Sequence, residues 1–90
     1  MVFMKGEIRE ILNKIKWTKP TEYKDYLIIF THRGYPNDKK EIKFDKIVGV
    51  KSSYFLYKEN ESSEITHIPF HRILEIIDLK NDKILWKKRT

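Results

Sequence analysis

The chain has 90 residues, 40% of them hydrophobic and 13% aromatic, which leaves room for one compact core but not for a deep enclosed active site. It has no cysteine, so disulfides, thiol catalysis and cysteine-ligated zinc are excluded. Nineteen Lys and Arg against 13 Asp and Glu leave a formal net charge of +6, a balance that suits a nucleic-acid partner and equally a well-solvated surface.

Residues 5–16 read as an amphipathic helix. Ile8, Ile11, Leu12 and Ile15 fall at i, i+3, i+4 and i+7, one helical stripe that belongs in a core. Pro20 ends the pattern, and 17–24 is expected to be a connecting loop. Residues 25–32 read as a strand, and its unbroken apolar run 26–30 predicts burial on both faces and a central position. Gly34, Pro36, Asn37 and Asp38 then supply turn chemistry. Segments 40–44, 47–51 and 54–58 follow as short strands, with Gly49 inviting a bulge. Asn60 to Ser63 makes a polar turn, and 64–68 leads into the segment around Pro69. Residues 73–79 form a strand, with 83–87 as its hairpin partner across Lys80-Asn81-Asp82.

No internal repeat, low-complexity tract or second domain is visible, so residues 1–90 are read as a single domain. The expected fold is α+β: the N-terminal helix packed on a curved antiparallel, barrel-like sheet of about six short strands. The first residues lack the apolar core of a signal peptide, and no apolar run has the length of a membrane span. A cytoplasmic protein with no membrane partner is therefore expected.

The chemistry concentrates in two His-Arg pairs. His32-Arg33 closes the first apolar strand just before Gly34, and His71-Arg72 follows Pro69 beside another apolar run. If Pro69 opens a short turn, the N–H groups of Phe70, His71 and Arg72 can face an anion. Arg adds a planar fork that suits phosphate oxygens, and His adds a donor. The plainer alternative is that Pro69 bends an edge strand and the pair is merely solvated. Aromatics beside cations, as in Lys14-Ile15-Lys16-Trp17 and Trp86-Lys87-Lys88-Arg89, suit stacked bases and paired phosphates. Core capping explains both tryptophans equally well.

No phosphate-binding loop, dinucleotide fingerprint, zincin motif or EF-hand is present, and no serine triad is readable. His67 and His71 stand four apart, but Pro69 between them spoils a helical ligand pair. Neither a metal nor a cofactor is expected. His32 and His71 with a nearby cation are the parts of a metal-independent ribonuclease or cyclic phosphodiesterase. The same parts bind a terminal phosphate without cleaving anything, and binding demands less of them. The paired His-x-Thr/Ser motifs of 2H phosphoesterases are absent, since Arg33-Gly34 follows His32 and Ile68-Pro69 follows His67.

Five short pieces together resemble a mainly archaeal family, the RNA cyclic-group end recognition domain. They are Ile11-Leu12-Asn13-Lys14-Ile15-Lys16-Trp17, His32-Arg33-Gly34 with the Pro36 turn, Ser53-Tyr54-Phe55, Ile68-Pro69-Phe70-His71-Arg72-Ile73 and Ile84-Leu85-Trp86-Lys87. They occur in the family's order across nearly the whole chain. Thr18 stands where such sequences often carry an acid. The resemblance implies recognition of RNA ends that carry a 2′,3′-cyclic phosphate. It also implies RNA end-processing or 2H phosphoesterase enzymes as partners, since the domain occurs joined to them.

The reading is thus a non-enzymatic RNA-binding module for phosphorylated or cyclic-phosphate 3′ ends. His32, Arg33, His71 and Arg72 are expected to hold the phosphate. Trp17, Tyr35 and Tyr54 are the candidates for stacking a base. Two alternatives stay open: the nuclease that uses His32 and His71, and a protein-interaction module with no RNA role.

Overall fold

The computed structural model describes residues 4–18, 20–34 and 36–88. Helix α1 (Met4–Thr18) forms where the apolar spacing predicts a helix. Ile8, Leu12 and Ile15 are buried and Ile11 packs beside them, while Glu7, Arg9, Glu10 and Lys14 face water. Burial of each aliphatic side chain contributes about 1.5–3 kcal/mol. The expected loop at 17–24 is more ordered than that. The helix runs to Thr18, and a 3-10 turn (Pro20–Asp25) follows. Tyr23 Oη donates to the Lys16 carbonyl at 2.7 Å, in the last helical turn, where carbonyls lack intrahelical partners.

Seven strands are present among the described residues: β1 (Tyr26–Thr31), β2 (Lys39–Lys43), β3 (Ile47–Val50), β4 (Tyr54–Tyr57), β5 (Thr66–Pro69), β6 (Ile73–Asp78) and β7 (Lys83–Lys87). The α+β class is as expected, and every pairing is antiparallel. The strands do not form one barrel-like sheet. They form a four-stranded sheet ordered β2-β1-β6-β7 and a three-stranded sheet ordered β3-β4-β5.

Two corners divide the strands between the sheets. Between β2 and β3 the chain makes a 3-10 turn at Phe44–Lys46, and between β5 and β6 it makes another at Phe70–Arg72. In each, the phenylalanine is buried and the N–H of the following isoleucine closes on the phenylalanine carbonyl. The two corners spell a short repeat that the sequence reading missed. Ile42-Lys43-Phe44-Asp45-Lys46-Ile47 matches Ile68-Pro69-Phe70-His71-Arg72-Ile73 at both isoleucines, the phenylalanine and the second exposed cation. Ile42, Phe44, Ile68, Phe70 and Ile73 are buried and Ile47 packs against them, so the shared apolar positions are those the corner needs.

One core joins everything. Tyr26, Ile28 and Phe30 of β1 point into it, together with Phe55 and Tyr57 of β4 and the stripe of α1. Phe30 stands between the sheets, its ring 5.8 Å from that of Phe55 and 5.6 Å from that of Tyr57. Because α1 and the second sheet pack on the same side, β1 is central but buried on one face only. Leu27, Ile29 and Thr31 on the other face stay half-buried, which corrects the expected double burial. Gly49 sits at a register shift in β3, as anticipated, and a methyl group there would lie 3.3 Å from Leu56 Cδ1.

Candidate nucleic-acid interface

The pairing of β1 with β6 decides where the His-Arg pairs lie. Phe30 stands opposite Ile73 in an antiparallel ladder. His32-Arg33 follows the end of β1, and His71-Arg72 immediately precedes β6. Adjoining strands thus deliver both pairs to the same end of the four-stranded sheet.

More cations collect at that end. Lys39 starts β2 opposite Thr31, and Lys87 ends β7 opposite Glu75. The Lys88 amide donates to the Leu74 carbonyl, and its Nζ donates to the His71 carbonyl at 2.8 Å. Lys40, half-buried there, is engaged by Glu59. At the sheet's other end, Lys43, Lys80 and Lys83 stand among Asp25, Asp78 and Asp82. The first end therefore carries an excess of cations, with Asp38, Glu59 and Glu75 among them, and the other is more evenly mixed. Exposed cations closer together than a Debye length, about 8–10 Å at physiological salt, reinforce one another toward an anion.

The four residues are held differently. His32 is half-buried. Its amide donates to the Asp38 carbonyl at 2.7 Å, and its ring lies 6.1 Å from that of Phe30. Its Nδ1 lies 3.2 Å from the Arg33 carbonyl oxygen. Arg33 is exposed, and Gly34 turns the chain with φ +95°, where a side chain is strained. His71 and Arg72 are both exposed on their 3-10 corner. Pro69 precedes that corner with φ −62°. The turn anticipated after Pro69 exists, but the Phe70 N–H is not available to an anion, because it donates to the Ser53 carbonyl at 2.9 Å. An anion placed at this corner would therefore meet mainly side chains. The matching corner carries Asp45 and Lys46 at the same places, so the corner itself does not require a histidine or an arginine.

The stacking candidates separate. Tyr54 opens β4 beside the His71-Arg72 corner, and its ring centroid lies 5.5 Å from that of His67 on β5. Ser53, Tyr54, His67 and Pro69 line a cavity of about 260 Å³. In the sequence His67 is weighed only as a helical partner of His71 and as part of a His-x-Thr/Ser motif, and neither reading joins it to Tyr54. Strand alternation across β4 and β5 was the signal that could have paired it with Tyr54.

Trp17 lies elsewhere. It is 77% exposed, so it does not cap the core, whereas Trp86 packs against it. Trp17 borders a shallow cavity of about 460 Å³ with Arg9, Glu10, Asn13 and Lys14. The second half of α1 lies over the mixed end of the sheet, where Ile11, Lys14 and Ile15 share a cavity of about 480 Å³ with Tyr26 and Asp78. The structure therefore does not bring Trp17 to the His-Arg pairs. Tyr35 and Arg89 lie outside the described residues.

None of these three cavities is lined by His32, Arg33, His71 or Arg72. The described residues include no group of three or more His, Asp or Glu placed to hold a metal ion. No described helix is long and apolar enough to cross a membrane.

A family model described as the MJ1316 RNA cyclic group end recognition domain matches residues 4–88. Among similar archaeal chains, a UPF0248 protein of Methanococcus maripaludis is 45% identical over 91% of this chain and 99% of its own length. One of Methanocaldococcus jannaschii is 40% identical, covering 91% and 94%. One of Thermococcus sibiricus is 38% identical, covering 94% and 88%. No solved structure matches.

Proposed function

Since the chain belongs to the MJ1316 RNA cyclic group end recognition domain family, we propose that it binds RNA 3′ ends carrying a phosphate, above all a 2′,3′-cyclic phosphate, without cleaving them. The observation that carries this reading is the shared placement of His32-Arg33 and His71-Arg72 at one basic end of the sheet. Two arginine forks and two imidazoles supply donors to phosphate oxygens from both sides of the β1–β6 junction. Lys39, Lys87 and Lys88 add attraction that is independent of base sequence.

The exposed setting suits capture of a chain end. Two imidazoles at one end also satisfy the minimum for acid–base cleavage, and recovery of the RNA after incubation separates the two activities: intact RNA supports a binder, and shortened RNA a nuclease. RNA is the proposed partner, and an RNA end-processing or 2H phosphoesterase enzyme is its proposed associate. The site is tested by changing Arg33 and Arg72 together to alanine. Loss of the preference for the cyclic end is expected, and an unchanged preference would remove these residues from the site.

A further inference from the structure

Tyr54 and His67 sit on neighbouring strands and face away from the core. In β4 the buried residues are Phe55 and Tyr57, and in β5 the buried residue is Ile68. Alternation along a strand therefore turns Tyr54, His67 and Pro69 to the outer face. The two rings lie 5.5 Å apart and 30° from parallel, a separation at which aromatic rings attract. The cavity they line with Ser53 and Pro69, about 260 Å³, falls below the ~300–1,000 Å³ of pockets for drug-sized ligands and suits a single ring system.

This slot adjoins the His71-Arg72 corner through Pro69 and Ser53, although His71 and Arg72 do not line it. Pro69 both lines the slot and precedes the corner, and Ser53 lines the slot while its carbonyl accepts the Phe70 N–H. His71 lies two residues beyond Pro69, at most about 7 Å along the chain. A planar ligand in the slot thus has a phosphate-binding corner within reach of one nucleotide.

Resting on the phosphate site proposed above, we infer that the Tyr54–His67 slot takes the nucleobase of the terminal nucleotide. Aromatic and histidine side chains are stacking surfaces for unpaired bases, and every base offers a π-face. Pro69 supplies an apolar wall. Ser53 carries a hydroxyl that both donates and accepts. The slot accordingly tolerates any base while requiring that one be present. A Tyr–His contact that served only to hold β4 to β5 would be indifferent to the ligand's base.

The test uses two RNAs of one sequence, both ending in a 2′,3′-cyclic phosphate, one of them abasic at the last nucleotide, with a 3′-hydroxyl form of the intact sequence as the end control. Their affinities are measured for the unmodified protein and for Tyr54→Ala, His67→Ala and Arg72→Ala. Loss of the base is expected to weaken binding to the unmodified protein about tenfold, the usual scale of one stacked base. That difference should largely vanish in Tyr54→Ala and His67→Ala. It should persist in Arg72→Ala, where both RNAs bind more weakly. Equal binding of the two RNAs by the unmodified protein overturns the slot whether or not the variants fold. If that protein still prefers a cyclic to a hydroxyl end, the phosphate site stands without the slot. Indifference to the end removes both. A base effect of full size in both ring variants also overturns the slot.

Discussion

Phe30 on β1 stands opposite Ile73 on β6, immediately after a register shift between Ile29 and Phe30 in the ladder that joins the two strands. Both side chains are fully buried. Beyond Phe30 the chain carries half-buried His32 and exposed Arg33, and just before Ile73 it carries exposed His71 and Arg72, so two buried apolar residues set where four polar ones stand. The pairs should then act as one site. Arg33→Ala and Arg72→Ala should each weaken binding of a cyclic-phosphate RNA by roughly 1.5–3 kcal/mol, the range for a charge-assisted hydrogen bond. The double variant should depart from the sum of the two, as groups that share a partner do. Strict additivity in titrations of the four proteins would indicate separate sites.

Arg72→Ala should leave the fold intact, because the Arg72 side chain is exposed and the buried residues of its corner are Phe70 and Ile73. Its unfolding free energy should stay within about 0.5 kcal/mol of the parent, as for most surface changes. Phe70→Ala should cost about 3–5 kcal/mol, since that ring is fully buried in both the corner and the core. Urea denaturation of the two variants checks both statements.

Trp17→Ala should reduce RNA affinity by about 1–3 kcal/mol if its exposed ring stacks a base. The reduction should be the same for cyclic-phosphate, phosphate and hydroxyl ends, because Trp17 lies over the opposite end of the sheet from the His-Arg pairs. A loss confined to the cyclic end would contradict that placement. Thermal stability should not change, since the side chain is 77% exposed.

Gly34→Ala should destabilise the protein by about 1 kcal/mol through backbone strain alone. The added methyl group meets nothing within 4 Å, but φ is +95°. Because the turn presents Arg33, preference for the cyclic end should also fall in a variant that remains folded. Calorimetry and RNA titration of the one variant read the two effects separately.

Much of this was legible from side-chain periodicity. The α1 stripe, the strand at Tyr26–Thr31 and the hairpin of β6 and β7 follow from local patterns that burial then satisfies. The division into two sheets was not legible, because it depends on corners at Phe44 and Phe70 whose meaning is tertiary. Either hexapeptide alone reads as a strand with a turn, and only their superposition shows a repeated device. The placement of both His-Arg pairs at one end of the sheet depended on which strand pairs with β1, a long-range choice that composition does not encode. His67 was hidden for a related reason: its neighbour Tyr54 is close across a ladder, not along the chain.

The central claim is that the basic end of the sheet reads the chemistry of an RNA 3′ end. The most direct measurement is the affinity for one short RNA bearing a 2′,3′-cyclic phosphate, a 3′-phosphate or a 3′-hydroxyl, taken at low and moderate salt, with the RNA recovered afterwards. Tightest binding of the cyclic end, with a preference that survives moderate salt and with RNA recovered intact, is the predicted result. Equal binding of all three ends, fading together as salt rises, would contradict it and leave only a sequence-blind basic surface.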